Sequence, residues 1–144
     1  MGNKPSSYQC INFEDIQRYI NQESTVPTLL ISTLPDDMYD TVIPKTVHYK
    51  EETDVINDVL SKHIETNIFI YGKNTNDETI YNKYHQLKTL GFMNVYLYMG
   101  GLFEWLCLQD IYSEENFPLL KKEIDILKYK PQSHLIQHNY QLKY

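Results

Sequence analysis

Val95-Tyr96-Leu97-Tyr98-Met99-Gly100-Gly101-Leu102-Phe103-Glu104-Trp105 decides the fold. Asn94 to Tyr98 reads as a strand without polar alternation, which suits burial on both faces. Two glycines separate it from an apolar helix that runs through Phe103, Trp105, Leu106 and Ile111. Working outward, the same unit recurs upstream. Asn67-Ile68-Phe69-Ile70-Tyr71 is the strongest strand, Gly72 to Asp77 is a polar loop, and Glu78 to Leu90 is a helix with Ile80, Tyr84 and Leu87 inward. Gly91 follows as its C′ residue. Thr28-Leu29-Leu30-Ile31-Ser32, after Pro27, is a third buried strand, and Leu34-Pro35-Asp36-Asp37 is a loop. Thr46-Val47-His48-Tyr49 is a brief strand after Pro44. Glu51 to His63 is a helix with Val55, Ile56, Val59 and Leu60 on one stripe. At the start, Tyr8 to Ile11 is a short strand. Asn12 then caps a helix carrying Phe13, Ile16 and Ile20, with Glu14 and Asp15 in its first turn.

Strands alternating with helices predict a three-layer α/β domain. Its centre is a mostly parallel five-stranded sheet flanked by helices. Ligands in such sheets sit at the carboxyl ends of the strands. The loops 33–44, 72–77 and 99–101 should therefore converge. Residues 1–7 form a polar, flexible segment, 8–127 the domain, and 128–144 a polar tail whose packing the sequence leaves open. Pro118 is placed to open a short last helix.

The chain has 144 residues, 13 basic and 19 acidic side chains, and a formal net charge of −6. One domain is expected, since domains run roughly 100–200 residues. Hydrophobic residues at 42% suffice for a core. The acidic balance argues against a nucleic-acid binder. No apolar run approaches the roughly 20 residues of a membrane span. Two cysteines cannot build a disulfide scaffold or a four-sulfur metal site, which suits a reducing, intracellular and cytoplasmic compartment. There is one arginine, Arg18, and no alanine, while tyrosine, isoleucine, asparagine and lysine abound. That bias is what an A+T-rich genome would produce.

The order of motifs from Tyr8 to Tyr112 resembles a rhodanese domain. Leu29 to Leu34 is similar to the family's strand end with an aspartate and an arginine. Asp40 to Tyr49 resembles its glycine-histidine-isoleucine-proline turn and following strand. Ile68 to Tyr71 is similar to the strand leading into the active loop. Leu87 to Phe92 resembles the helix end before the last strand. The segment Val95 to Trp105, with its double glycine, is the most specific match. The continuation Leu106 to Tyr112 resembles a divergent branch found in protists and large DNA viruses. The resemblance implies the three-layer fold above.

It also implies where chemistry should sit, and there the sequence departs. A sulfur-transferring rhodanese needs a cysteine at the first loop position after the strand. Its thiolate carries the sulfane sulfur as a persulfide, stabilised by loop N–H groups. The matching residue is Gly72, which can be neither nucleophile nor carrier. The arginine that closes the family's loop falls at Asp77, a reversal of charge, and the loop is about two residues longer. Ser32 replaces the aspartate and Leu34 the arginine of the neighbouring strand. Asp77 and Glu78 should sit at a helix N-terminus, where the dipole favours them. Cys10 and Cys107 lack a basic partner nearby in sequence and read as ordinary small, partly buried residues.

Other signals are weaker. Met1-Gly2-Asn3-Lys4-Pro5-Ser6-Ser7 fits an N-myristoylation pattern with Gly2 as acceptor. One such chain binds bilayers only marginally, and the acidic domain would be repelled by anionic lipid. Gly72-Lys73-Asn74-Thr75 lacks the first glycine and the Ser or Thr of a phosphate loop, so a polar turn is favoured. His134 and His138 share a spacing of four but lack a further ligand, so no metal is expected. Asp36, Asp37 and Asp40 read as a solvated acidic loop, and Tyr96, Tyr98, Phe103 and Trp105 as core or pocket lining.

The sequence thus predicts a catalytically inactive rhodanese-like domain, a pseudo-sulfurtransferase without cofactor that acts as a protein-binding or scaffold module. The candidate binding pocket is the vestigial loop Gly72, Lys73, Asn74, Thr75, Asn76 and Asp77, with Met99, Gly100, Gly101, Ser32 and Leu34 beside it. The acidic surface favours a partner with a basic segment. Two alternatives stand beside it: an enzyme of altered chemistry using the 72–77 loop, and a structural component of a viral or membrane-associated assembly.

Overall fold

The computed structural model describes residues 8–23, 25–62 and 65–135. Four strands form the sheet: β1 (Cys10–Ile11), β2 (Thr28–Ser32), β3 (Asn67–Tyr71) and β4 (Val95–Tyr98). Their order is β1-β4-β3-β2 and every pairing is parallel. Between them run the helices α1 (Phe13–Ile20), α2 (Glu52–Lys62) and α3 (Thr79–Leu90), and α4 (Gly101–Ile111) follows β4.

Alternate strand residues face opposite layers. Leu30, Phe69, Tyr71 and Tyr98 join Ile16 of α1 and Leu102, Trp105 and Leu106 of α4 in one core. Ile31, Ile68, Ile70 and Leu97 join Ile56 of α2 and Ile80, Tyr84 and Leu87 of α3 in the other. Both faces are apolar, which is why the strands read as continuous hydrophobic runs. The helix ends follow local chemistry. The Asn12 side chain accepts from the N–H of Glu14 and Asp15, and Asp15 returns a bond to the Asn12 N–H, a complete capping box. Gly91 ends α3 at φ +112°, a left-handed turn that glycine makes without steric cost.

The expected five-stranded sheet is corrected to four strands. Thr46–Tyr49 touches β2 through one bridge, Leu30 to Thr46, closed by the Val47 N–H on the Leu30 carbonyl at 2.8 Å. A longer ladder is blocked on both sides. Pro44 has no N–H to offer. Lys45 lies at φ +70°. Thr46 spends its own N–H and hydroxyl on the Ile43 carbonyl. Beyond Val47, the N–H groups of Glu51 and Glu52 bond the carbonyls of His48 and Tyr49 and turn the chain into α2.

Nor does Pro118 open a helix. Residues 112–125 form a strap, and a short 3₁₀ turn follows at Ile126–Tyr129. Gln17, Gln109 and Trp105 donate to the carbonyls of Asn116, Phe117 and Pro118 at 2.8, 2.8 and 2.9 Å. The Leu120 N–H bonds the Val42 carbonyl at 3.0 Å. Tyr129, in the segment that reads as a polar tail, is completely buried. Among the described residues no helix is long and apolar enough to cross a membrane.

Candidate functional site

The site lies at the carboxyl ends of β2 and β3. The Thr33 N–H bonds the Tyr71 carbonyl at 2.9 Å, which holds the two strand exits together. Below them the buried Tyr71 hydroxyl accepts from the Ile43 N–H at 3.0 Å and bonds the Thr46 hydroxyl at 2.8 Å, and burial pushes its pKa up.

Gly72 opens the loop and is buried. A Cβ placed there would lie 2.9 Å from Asp77 Cγ and 2.9 Å from Thr33 Oγ1, with Asp77 Oδ2 nearer still. The Asp77 carboxylate therefore fills the space that a side chain at position 72 would enter. Its Oδ2 accepts from the Lys73 N–H at 2.9 Å. Its Oδ1 accepts from the Thr79 N–H at 3.0 Å and the Thr79 hydroxyl at 2.6 Å. Asp77 thus caps α3 by side chain while Glu78 occupies the cap position with no side-chain bond. The loop's inward donors at 73 and 79 are consumed by the chain's own anion.

The double glycine supports this loop from behind. Gly101 sits at φ +65°, and a Cβ there would lie 2.7 Å from the Gly72 carbonyl oxygen and 2.8 Å from the Asn74 nitrogen. That close approach lets the N–H groups of Leu102 and Phe103 bond the carbonyls of Gly72 and Lys73 at 2.9 and 2.7 Å. The free N–H groups of α4's first turn are thereby satisfied by the loop itself. Gly100 leaves room for Glu104, whose carboxylate accepts from the Tyr98 hydroxyl at 2.6 Å.

The C-terminal segment forms the other wall. Buried Asn74 donates through Nδ2 to the Tyr129 carbonyl at 2.9 Å and accepts from the Asn76 N–H at 2.9 Å. The Tyr129 hydroxyl bonds Thr41 at 3.1 Å and Glu123 at 3.0 Å. Between the loop and this roof lies a polar cleft of about 710 Å³.

Of the residues singled out from sequence, the structure brings Lys73, Asn74, Asn76 and Asp77 together on this cleft. Thr75 is exposed and lies outside its lining. Ser32 and Leu34 are buried; the Ser32 hydroxyl accepts from the Leu34 N–H at 3.0 Å. They border a separate, smaller cleft of about 310 Å³. Met99 packs beside Tyr81, and Gly100 and Gly101 act as backing rather than lining. Sequence reading missed Thr33, Thr79, Lys128 and Lys130 on the cleft. For the first two the available signal was position: Thr33 directly follows β2, and Thr79 opens α3 after the loop. The lysines carried none, because their placement depends on the strap. Gly2 and His138 lie outside the described residues.

Neither cysteine reaches the loop. Cys10 is exposed on β1, and Cys107 is half-buried on α4. Burial pushes the Cys107 thiol up, helped by the carboxylates of Asp110 and Glu104. That is opposite to what a reactive thiolate requires.

Glu123 ties the roof to pH. Its carboxyl is held below the ordinary value of 4.5, first by the Asp125 N–H and then by the Tyr129 hydroxyl and Lys128. A carboxyl lowered in the folded state contributes stability that is full above its unfolded value and is lost as pH falls through the folded one. Amides of residues 126–130 should therefore lose hydrogen-exchange protection below about pH 4.5, before those of β3 and β4. In Glu123→Gln that acid-dependent step should disappear.

No family model matches the chain, and no curated protein matches it. Solved structures do. The BH2092 protein from Bacillus halodurans aligns over 87% of this chain and 92% of its own, at 14% identity and a TM-score of 0.58. The Alr3790 protein from Anabaena aligns over 68% and 86%, at 18% identity and a TM-score of 0.54. Ygr203w, a yeast protein tyrosine phosphatase of the rhodanese family, aligns over 71% and 86%, at 12% identity and a TM-score of 0.53. At these identities the likeness is one of fold, and the fold this chain has is the rhodanese-like α/β fold.

Proposed function

We propose that this chain is a non-catalytic rhodanese-like domain that binds a protein partner through the cleft between the 72–77 loop and the 126–130 roof. One observation carries the reading: Gly72 stands at the first loop position after β3, and the Asp77 carboxylate fills the space above it. A persulfide or phosphoenzyme needs a nucleophile and free N–H donors at one point. Here the nucleophile is lacking at position 72, and the N–H groups of Lys73 and Thr79 already hold a carboxylate. What is left is a rigid, polar concavity on a parallel sheet, suited to recognition.

The test has two arms. Wild type should turn over neither thiosulfate, mercaptopyruvate nor p-nitrophenyl phosphate above background. Gly72→Cys alone should lose about 1–3 kcal/mol of stability from overpacking against Asp77 and Thr33. Adding Asp77→Ala should relieve that cost, giving a coupling of about 1 kcal/mol or more in a double-mutant cycle. Sulfur transfer by wild type that is lost in Cys10→Ser or Cys107→Ser would sink the reading.

A second reading is an enzyme of altered chemistry. Its support is the 2.6 Å bond from the Thr79 hydroxyl to Asp77, beside Thr33 at 2.7 Å, in a chain that shares its fold with a tyrosine phosphatase. Hydrolysis of p-nitrophenyl phosphate, abolished by Thr79→Val, would favour it.

A further inference from the structure

The chain carries a net charge of −6, yet the cleft between the loop and the roof is bordered by Lys73, Lys128 and Lys130. The same lining carries two acids, Asp77 and Glu78, which offset part of that charge. Asp77 is turned inward, where two N–H groups and a hydroxyl hold it. Glu78 is exposed at the start of α3. Lys128 leans on Glu123 at 3.7 Å and over the Tyr129 ring at 5.6 Å. No carboxylate of the described residues forms an ion pair with Lys73 or Lys130. The lining thus carries three lysines against two acids on a domain that is acidic as a whole, Lys73 and Lys130 stand outside the ion pairs of the described residues, and two of the three lysines come from the C-terminal segment.

Its size also speaks to the ligand. About 710 Å³ would hold roughly two dozen waters at about 30 Å³ each, far more than one small anion displaces. The lining is polar apart from Pro35 and Leu127, so an apolar ligand has little to bury against. We propose that the cleft receives an acidic segment of a partner protein, with Asp or Glu carboxylates meeting Lys73 on one wall and Lys128 and Lys130 on the other. This rests on the binding-module reading above and names the chemistry of its partner. It differs from the basic partner that net charge alone suggests, because recognition follows local rather than summed charge.

The test uses the full chain and fluorescein-labelled deca-glutamate, with labelled deca-lysine and inorganic phosphate as comparison probes. Deca-glutamate should bind, with an affinity that falls as salt rises. The shifted backbone amides should be those of residues 73–79 and 127–132. Lys73→Glu with Lys130→Glu should weaken binding about tenfold or more, as expected for reversing two charge contacts. Lys62→Glu, on α2 and paired with Asp58, should change it less than about twofold. Preference for deca-lysine, equal binding by the double variant, or tighter binding of phosphate alone overturns the proposal. Sulfur transfer or ester hydrolysis would overturn the non-catalytic reading instead, and would leave the peptide result to stand or fall by itself.

Discussion

Gly101→Ala is expected to lose about 2–6 kcal/mol of stability and to displace the 72–77 loop. Two costs add. A non-glycine residue at φ +65° costs about 1–3 kcal/mol. The new methyl must also enter space 2.7 Å from the Gly72 oxygen and 2.8 Å from the Asn74 nitrogen, overpacking worth about another 1–3 kcal/mol. The obstructing atoms are backbone, so no rotamer change relieves them. Moving them breaks the bonds from Leu102 and Phe103 to the loop carbonyls at 2.9 and 2.7 Å. Chemical denaturation measures the first effect. Amide shifts confined to 71–79 and 99–104 in the surviving folded fraction measure the second. A loss below about 1 kcal/mol would mean that the two loops do not depend on this close approach.

Trp105→Ala should cost about 3–5 kcal/mol, the range for removing a large buried aromatic side chain. Trp105 is fully buried and meets Tyr98 and Phe117 edge to face at 6.3 and 5.1 Å. It is also the pin of the strap, through its Nε1 bond to the Pro118 carbonyl at 2.9 Å. Alanine leaves both a cavity and a part-buried carbonyl without its donor. Trp105→Phe separates the two, since it keeps most of the volume and loses only the bond, for about 1–3 kcal/mol. Denaturation midpoints give the size of each loss. Proteolysis near residues 113–125 should accelerate in both variants, because the strap loses its anchor in both. Unchanged cleavage there would mean that Gln17, Gln109 and Leu120 suffice to hold the strap.

Much of the fold was legible locally. Thr28–Ser32 and Asn67–Tyr71 carry continuous apolar runs, and Asn12 and Gly91 carry cap chemistry that needs no distant partner. The fifth strand failed for a reason that β propensity does not contain. Thr46 to Tyr49 has strand-forming residues, but Lys45 at φ +70° and the turn at Ile43 use up the backbone groups that a ladder needs. Pro118 failed in a similar way: its carbonyl is wanted by Trp105, thirteen residues earlier. At the site, the glycine at 72 and the acid at 77 could be read from the chain, but not that one fills the space above the other.

What the sequence by itself determined is the alternation of buried strands and helices, the convergence of loops at the strand ends, and the lack of a thiol at position 72. These are local properties, set by periodicity, caps and side-chain identity. The tertiary structure alone decided the number of strands, the inward turn of Asp77, and the arrival of Lys128 and Lys130 over the loop. Each of these depends on a bond or contact across the fold, such as that from Asn74 to Tyr129 over 55 residues. No short-range preference encodes such a pairing; it exists only once the sheet and the strap have packed.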